Sequence, residues 1–355
     1  MKKLQANKLS EDTKHSLLKR ILTGIVLALV CVPCIILGDF FYFGLVVVVT
    51  ILAAFEITHI TDLKASIRVF ISAITIILTL AIVYYVLYHN LYSPVHERIA
   101  ALKDLPTTGH VLADNLFQID ISIMLLILMA ATYFITCFFS KDFTVKHVFY
   151  FITMVFIVSV GVQSFLTLRY SPFLYFAFEG TPVDTLNSPA FKYGQSTFLL
   201  VYVLIGVIMN DIGAYFVGVL FGKHKMNERI SPKKTWEGFL GGVVFSLISS
   251  IIFAWAVTKA GKPMLPVFDF VSENPSSLFY IIAISVLLPL LSDVGDFMFS
   301  AVKRFWGVKD FSRILPGHGG ILDRIDSLIF AAALVSCLII FIEFFVNPEL
   351  LPSVF

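Results

Sequence analysis

Residues Val203–Lys223 read VLIGVIMNDIGAYFVGVLFGK, and Asp211 is the only charged residue before the closing lysine. A run of about 20 apolar residues is the length that crosses a bilayer as a helix. Unbroken apolar runs are not the alternating strands of a barrel, and an open strand edge has no partner in lipid. The stretch is therefore a transmembrane helix, and Asp211 lies about eleven residues, or roughly 16 Å, before its charged end. An ionised carboxylate at that depth costs several kcal/mol unless it meets a cation, water or a polar cavity. Asp211 either donates a hydrogen bond as a protonated acid in a helix contact or lines a polar cavity with Asn210, Gly213, Tyr215 and Gly218.

Working outward, comparable runs recur at 21–38, 40–57, 69–88, 119–139, 147–168, 196–221, 238–258, 278–299 and 327–347. With 58% hydrophobic residues, 36 Phe and a mean hydropathy of +0.90, an ordinary soluble domain is excluded. The expectation is an all-α polytopic integral membrane protein of about nine transmembrane helices, the first two joined by a tight turn at Gly38-Asp39. Twenty of the 26 Lys and Arg fall on the side of the N-terminus. That bias predicts a cytoplasmic N-terminus and an outside C-terminus. The N-terminal helix is too long for a signal peptide and reads as a retained anchor. Cys31, Cys34, Cys137 and Cys337 all lie in apolar spans and read as filler rather than redox or metal groups.

The expected division is a cytoplasmic tail (1–20), N-terminal helices and outside loops (21–200), a membrane region that carries the charged loops (201–348) and a C-terminal tail (349–355). The outside loops 89–118 and 169–195 carry no recognisable chemistry, with a short interfacial helix expected at 95–104 and solvated His89, His96 and His110. Two cation-rich loops, 222–237 and 300–326, share the cytoplasmic side. In the first, ISPKKTWEG (230–238) places Ser231, Lys233, Lys234 and Thr235 at the opening of a helix, a natural phosphate cradle. Before the second, Asp293, Asp296, Ser300 and Lys303 are spaced +3, +4 and +3 and share one helical face. An acidic pair alone would suggest proton or cation handling. Acids below and cations above suggest a metal held beneath phosphates.

The second loop reads SAVKRFWGVKDFSRILPGHGGILDRID from Ser300 to Asp326. It resembles the signature of the phosphatidate cytidylyltransferases (CDP-diacylglycerol synthases), with Ser300, Lys303-Arg304, Lys309-Asp310, His318-Gly319-Gly320, Asp323-Arg324 and Asp326 all in register. The close resemblance covers about 205–330, including DIGAYFVGVLFGKHK and ISPKKTWEG; the family also often carries a glutamate where Glu56 stands. It implies the reaction CTP + phosphatidate → CDP-diacylglycerol + diphosphate in phospholipid biosynthesis, dependent on Mg²⁺ with a second, monovalent cation as an option. Asp296 and Asp323 are the implied metal ligands, with Asp326 and Asp211 as further ligands or their hydrogen-bond partners. Lys303, Arg304, Asp310, His318 and Arg324 are the implied catalytic residues. Ser231, Lys233, Lys234, Thr235, Ser300, Lys309, Gly319 and Gly320 are expected to bind the phosphates of CTP and phosphatidate. Partners are these substrates and membrane lipids, with no nucleic acid and a homodimer as an option, in the cell (inner) membrane with the site facing the cytoplasm. Two alternatives share the machinery, a CTP-dependent polyprenol kinase and an ether-lipid cytidylyltransferase. A secondary transporter is the alternative from another class, although it would show paired broken helices in repeated halves.

Overall fold

The computed structural model describes residues 11–87, 121–178, 188, 191, 194–262, 264, 265 and 276–346. The expected helix at 95–104, His89, His96, His110 and the two extreme tails lie outside these residues. Nine α-helices occur among the described residues, one at each expected span: α1 (Glu11–Leu37), α2 (Asp39–His59), α3 (Ala65–Leu87), α4 (Ile121–Phe139), α5 (Val145–Phe178), α6 (Phe198–Phe221), α7 (Trp236–Lys259), α8 (Ser276–Phe305) and α9 (Leu322–Val346). Six of them, α2, α3, α5, α6, α7 and α8, are long and apolar enough over the described residues to cross a membrane. Shorter apolar stretches occupy Leu22–Leu37 and Met124–Phe139.

The tight turn between α1 and α2 is present. Gly38 adopts φ +68°, which side chains disfavour, and a Cβ there would lie 2.7 Å from the Arg169 guanidinium. Arg169, buried on α5, donates through Nε to the Ile35 carbonyl at 3.1 Å and through Nη1 to Ser196 Oγ at 2.6 Å. It thereby answers the backbone carbonyl freed where α1 ends. Buried tyrosines stitch the helices in the same way, each burying its ring and placing its hydroxyl on another helix. Tyr42 of α2 donates to the Phe165 carbonyl at 2.9 Å, and Tyr150 of α5 donates to Ile57 at 2.8 Å. Tyr202 of α6 lies 2.6 Å from Ser285 Oγ of α8.

Two regions depart from the expected outline. α5 runs to Phe178 rather than ending at 168, taking in part of the expected outside loop. The loop 222–237 is not simply a helix-opening turn, for it folds into an antiparallel hairpin of β1 (Lys225–Asn227) and β2 (Ser231–Thr235). Asn227 Oδ1 closes the hairpin by accepting from the amides of Arg229 and Ile230, both at 3.1 Å. Pro232 is accommodated because a two-stranded sheet consists only of edges. Thr235 caps α7, its hydroxyl accepting from the Gly238 amide at 3.2 Å.

At the end of the bundle carrying the hairpin, α8 extends past its apolar span to Phe305, so Ser300, Lys303 and Arg304 are helical. Trp306 just beyond it packs on Tyr150 and His147 of α5, with ring centroids 5.1 and 5.4 Å apart. Lys146 Nζ sits 3.9 Å from the Trp306 ring centroid. The His147 ring accepts from the Thr144 amide at Nδ1 (3.1 Å), so Nε2 carries the proton donated to Asp62 at 2.7 Å. These contacts hold the end of α8 against the loop after α2.

Candidate active site

Two knots of lysine and aspartate form on α8. In the first, Lys234 reaches inward from β2 and contacts Asp293 at 2.6 Å and Asp296 at 2.8 Å. Asn210 of α6 donates to the other oxygen of Asp293 at 3.2 Å, and Ser300 donates to Asp296 at 3.3 Å. Burial by itself would depress the Lys234 pKa. The charges of Asp296 and Asp293 and their hydrogen bonds outweigh it and hold that pKa above its ordinary value. Strand alternation explains why Lys233 beside it is exposed.

In the second knot, Lys303 contacts Asp323 at 2.8 Å and Asp326 at 3.6 Å, with all three side chains largely buried. Asp323 uses its other oxygen to accept from the amides of Phe311 (2.8 Å) and Gly320 (2.9 Å). Asp326 accepts from the Ser327 amide at 2.8 Å. Asp326 feels the charges of both Asp296 and Asp323, so the knots form one electrostatic unit. Asp211 is accessible and feels Asp296, Lys234, Asp293 and Arg324.

Other expected residues sit around this centre. Arg304 donates to the carbonyls of Ile230 (3.3 Å) and Val308 (2.9 Å), pinning the hairpin to the end of α8. Ser231 pairs with Asn227 across the hairpin. Lys309, Asp310 and Arg324 are exposed. His318 lies half-buried in a tight turn, its amide donating to Leu315 at 2.9 Å, followed by Gly319 at φ +85°. Gly320 is buried, and a Cβ on it would come within 2.6 Å of both Glu56 carboxylate oxygens.

Three contributors have roles that the sequence pattern does not define. The +3 spacing puts Asp293 on the face of Asp296 without saying what it meets. Asn210, fully buried, faces α8, whereas the charge in that segment belongs to its neighbour Asp211. Glu56 had no local signal for what it does, because its partners lie more than 250 residues away.

The donor set bears on a metal ion. Asp211, Asp293, Asp296, Asp323 and Asp326 outnumber Lys234, Lys303 and Arg324, leaving an excess of negative charge among hard oxygen donors. Such a set suits Mg²⁺ in kind and charge. Among the described residues no three ligating side chains stand ready at metal-binding spacing, since the two lysines lie against the carboxylates.

Fold and site together define a helical membrane protein with a charged lysine–aspartate centre at one end of its bundle. The chain belongs to the cytidylyltransferase family, whose model matches residues 18–342. Relatives include proteins named phosphatidate cytidylyltransferase from Staphylococcus haemolyticus, 40% identical over 141 residues, and from Bacillus subtilis, 40% identical over 139. The matched stretch is 40% and 39% of this chain respectively, and it spans about half of each relative, 48% and 45%.

Proposed function

We propose that this protein is a phosphatidate cytidylyltransferase, which joins CTP and phosphatidate into CDP-diacylglycerol and releases diphosphate. One observation carries the proposal: α8 joins two lysine–aspartate knots, its Asp293 and Asp296 meeting Lys234 of the hairpin and its Lys303 meeting Asp323 and Asp326 of α9, in the chain of a cytidylyltransferase family member. Tyr215, Val219, Leu220, Trp236 and Leu240 are exposed on α6 and α7 next to the hairpin and would face the bilayer, where a lipid phosphate resides.

In the reaction an oxygen of the phosphatidate phosphate attacks the α-phosphorus of CTP. The bond from that phosphorus to the bridging oxygen breaks, and diphosphate leaves. The attacking phosphate is already ionised near neutral pH, so no protein base is required. Positioning and charge neutralisation are the main demands of such a transfer. Lys303, Lys234 and Arg324 neutralise phosphate oxygens, while the exposed Lys233 and Lys309 meet the triphosphate first. Asp296 and Asp323, with Asp326 and Asp211, would hold Mg²⁺, with a monovalent cation as an addition. When bound, Mg²⁺ supplies charge stabilisation to phosphate oxygens and to the departing diphosphate.

We place the charged end in the cytoplasm, where CTP is found, with all nine helices crossing the inner membrane, the N-terminus inside and the C-terminus outside. The Lys and Arg bias supports this orientation. The N-terminal helices then form a frame, and residues 201–348 form the catalytic region. Purified protein is incubated with CTP labelled with ³²P at the α or the γ position and with separate lipid acceptors. Label must enter lipid from the α position and with phosphatidate. Transfer from the γ position to a polyprenol would replace this proposal with a kinase.

A further inference from the structure

The signature loop is held from outside itself. Glu56, near the end of α2, is fully buried, and both of its oxygens are engaged. Oε1 accepts from Ser312 Oγ at 2.7 Å and from the Ile321 amide at 2.8 Å, while Oε2 accepts from the Leu322 amide at 2.8 Å. Asp323 Oδ2 takes the preceding amide, that of Gly320, and also that of Phe311. Three consecutive amides at the start of α9 are thus closed by two carboxylates, and those carboxylates also hold the neighbours Phe311 and Ser312.

Amides at a helix start have no partner within the helix, and the dipole there favours negative charge. Charge-assisted hydrogen bonds in a dry setting are short and direction-sensitive. With Oδ2 committed to two amides, only Oδ1 of Asp323 is left to face Lys303. The rotation of the Asp323 carboxylate therefore depends on where the Gly320–Leu322 amides are held, and Glu56 holds two of the three. Gly320 leaves no slack, because any side chain there would collide with Glu56.

We propose that Glu56 is a positioning residue for nucleotidyl transfer: it fixes the start of α9 so that Asp323 meets Lys303 and the substrates in one orientation. The proposal rests on the cytidylyltransferase activity above for its kinetic readout only. Through it, the N-terminal half of the chain contributes to the geometry of a site whose signature lies entirely in the C-terminal half.

The test uses the full-length protein and the variants Glu56→Gln and Gly320→Ala. Glutamine keeps the shape of Glu56 but turns an NH₂ toward an N–H or O–H donor. Alanine at 320 presses a methyl group on the same carboxylate from the loop side. Glu56→Gln should lower kcat by about tenfold or more, as loss of a charged buried hydrogen bond would. The KM for CTP should stay within about threefold, because Glu56 touches no substrate. Hydrogen exchange read by mass spectrometry should speed up about tenfold or more across 311–323 and stay unchanged in α3. Should Glu56→Gln fail to fold, Gly320→Ala must show the same loss of kcat and the same local exchange. Wild-type kcat in either folded variant, or unchanged exchange across 311–323, overturns the proposal. Absence of CDP-diacylglycerol formation by the wild type would refute the functional reading instead, and the exchange measurement would still decide the positioning role.

Discussion

Replacing Lys234 by methionine tests whether the first knot is a real electrostatic unit. The ammonium lies 2.6 and 2.8 Å from two carboxylates, and side-chain exposures are 22% for Lys234, 7% for Asp293 and 30% for Asp296. At an effective dielectric near 20, each such contact attracts by roughly 4–6 kcal/mol. Desolvating three ions costs several kcal/mol each, so the intact knot contributes little net stability. Removing one partner is different, because Asp293 then stays buried beside Asp296 with only the Asn210 amide to answer it. Breaking a buried pair in this way costs about 3–5 kcal/mol. For a chain of this size that corresponds to a fall in Tm of roughly 4–7 °C. The assay is thermal unfolding in detergent of wild type, Lys234→Met, Asp293→Asn and the double variant, with turnover measured in parallel. The double variant should regain most of the lost Tm, because the deeply buried charge of Asp293 is gone and only the 30% exposed Asp296 is left without its lysine, yet regain no activity. A Lys234→Met protein that melts with the wild type, or a double variant no more stable than it, would refute the reasoning.

Lys303→Ala should reduce turnover well over tenfold, as loss of a charge clamp worth several kcal/mol does; a mild effect would move Lys303 to a structural role. Asp296→Asn and Asp323→Asn should each abolish most turnover in Mg²⁺, and near-normal rates in either would remove it from the proposed ligand set. The hydrogen bond from His147 and the nearby Lys146 hold the Asp62 carboxyl below its ordinary pKa. The stability it contributes is therefore present above the unfolded value of about 4 and lost as the pH falls through the lower folded value. With its side chain 66% exposed, that contribution is under about 1 kcal/mol after screening. Asp62→Asn should melt slightly below wild type at pH 7, with the gap closing below pH about 4; a gap that widens in acid contradicts the assignment.

Much of the site was legible because helical spacing carries information along a known repeat. Asp293, Asp296, Ser300 and Lys303 lie on one face at 3.6 residues per turn, and α8 does run unbroken through all four. The cap at Thr235 was legible for the same reason, since the donors of a helix start are local. The hairpin was not, although it decides which lysine enters the centre. A single residue of offset sends Lys234 inward and Lys233 to solvent, and nothing in KK distinguishes the two. The rotation of α6 was hidden in the same way: Asn210 rather than Asp211 faces Asp293.

By itself, the sequence determined that this chain builds apolar helices, that cations concentrate in 222–237 and 300–326, and that a stretch resembling a cytidylyltransferase signature occupies the second. Composition, run length and local spacing carry those facts, because hydrocarbon tolerates few other arrangements of backbone. Only the tertiary structure decided which charges meet. Lys234 finds Asp293 across 59 residues, and Glu56 reaches the start of α9 across 266. Such pairings depend on how helices rotate and pack against one another, and side-chain spacing within any single segment does not encode that.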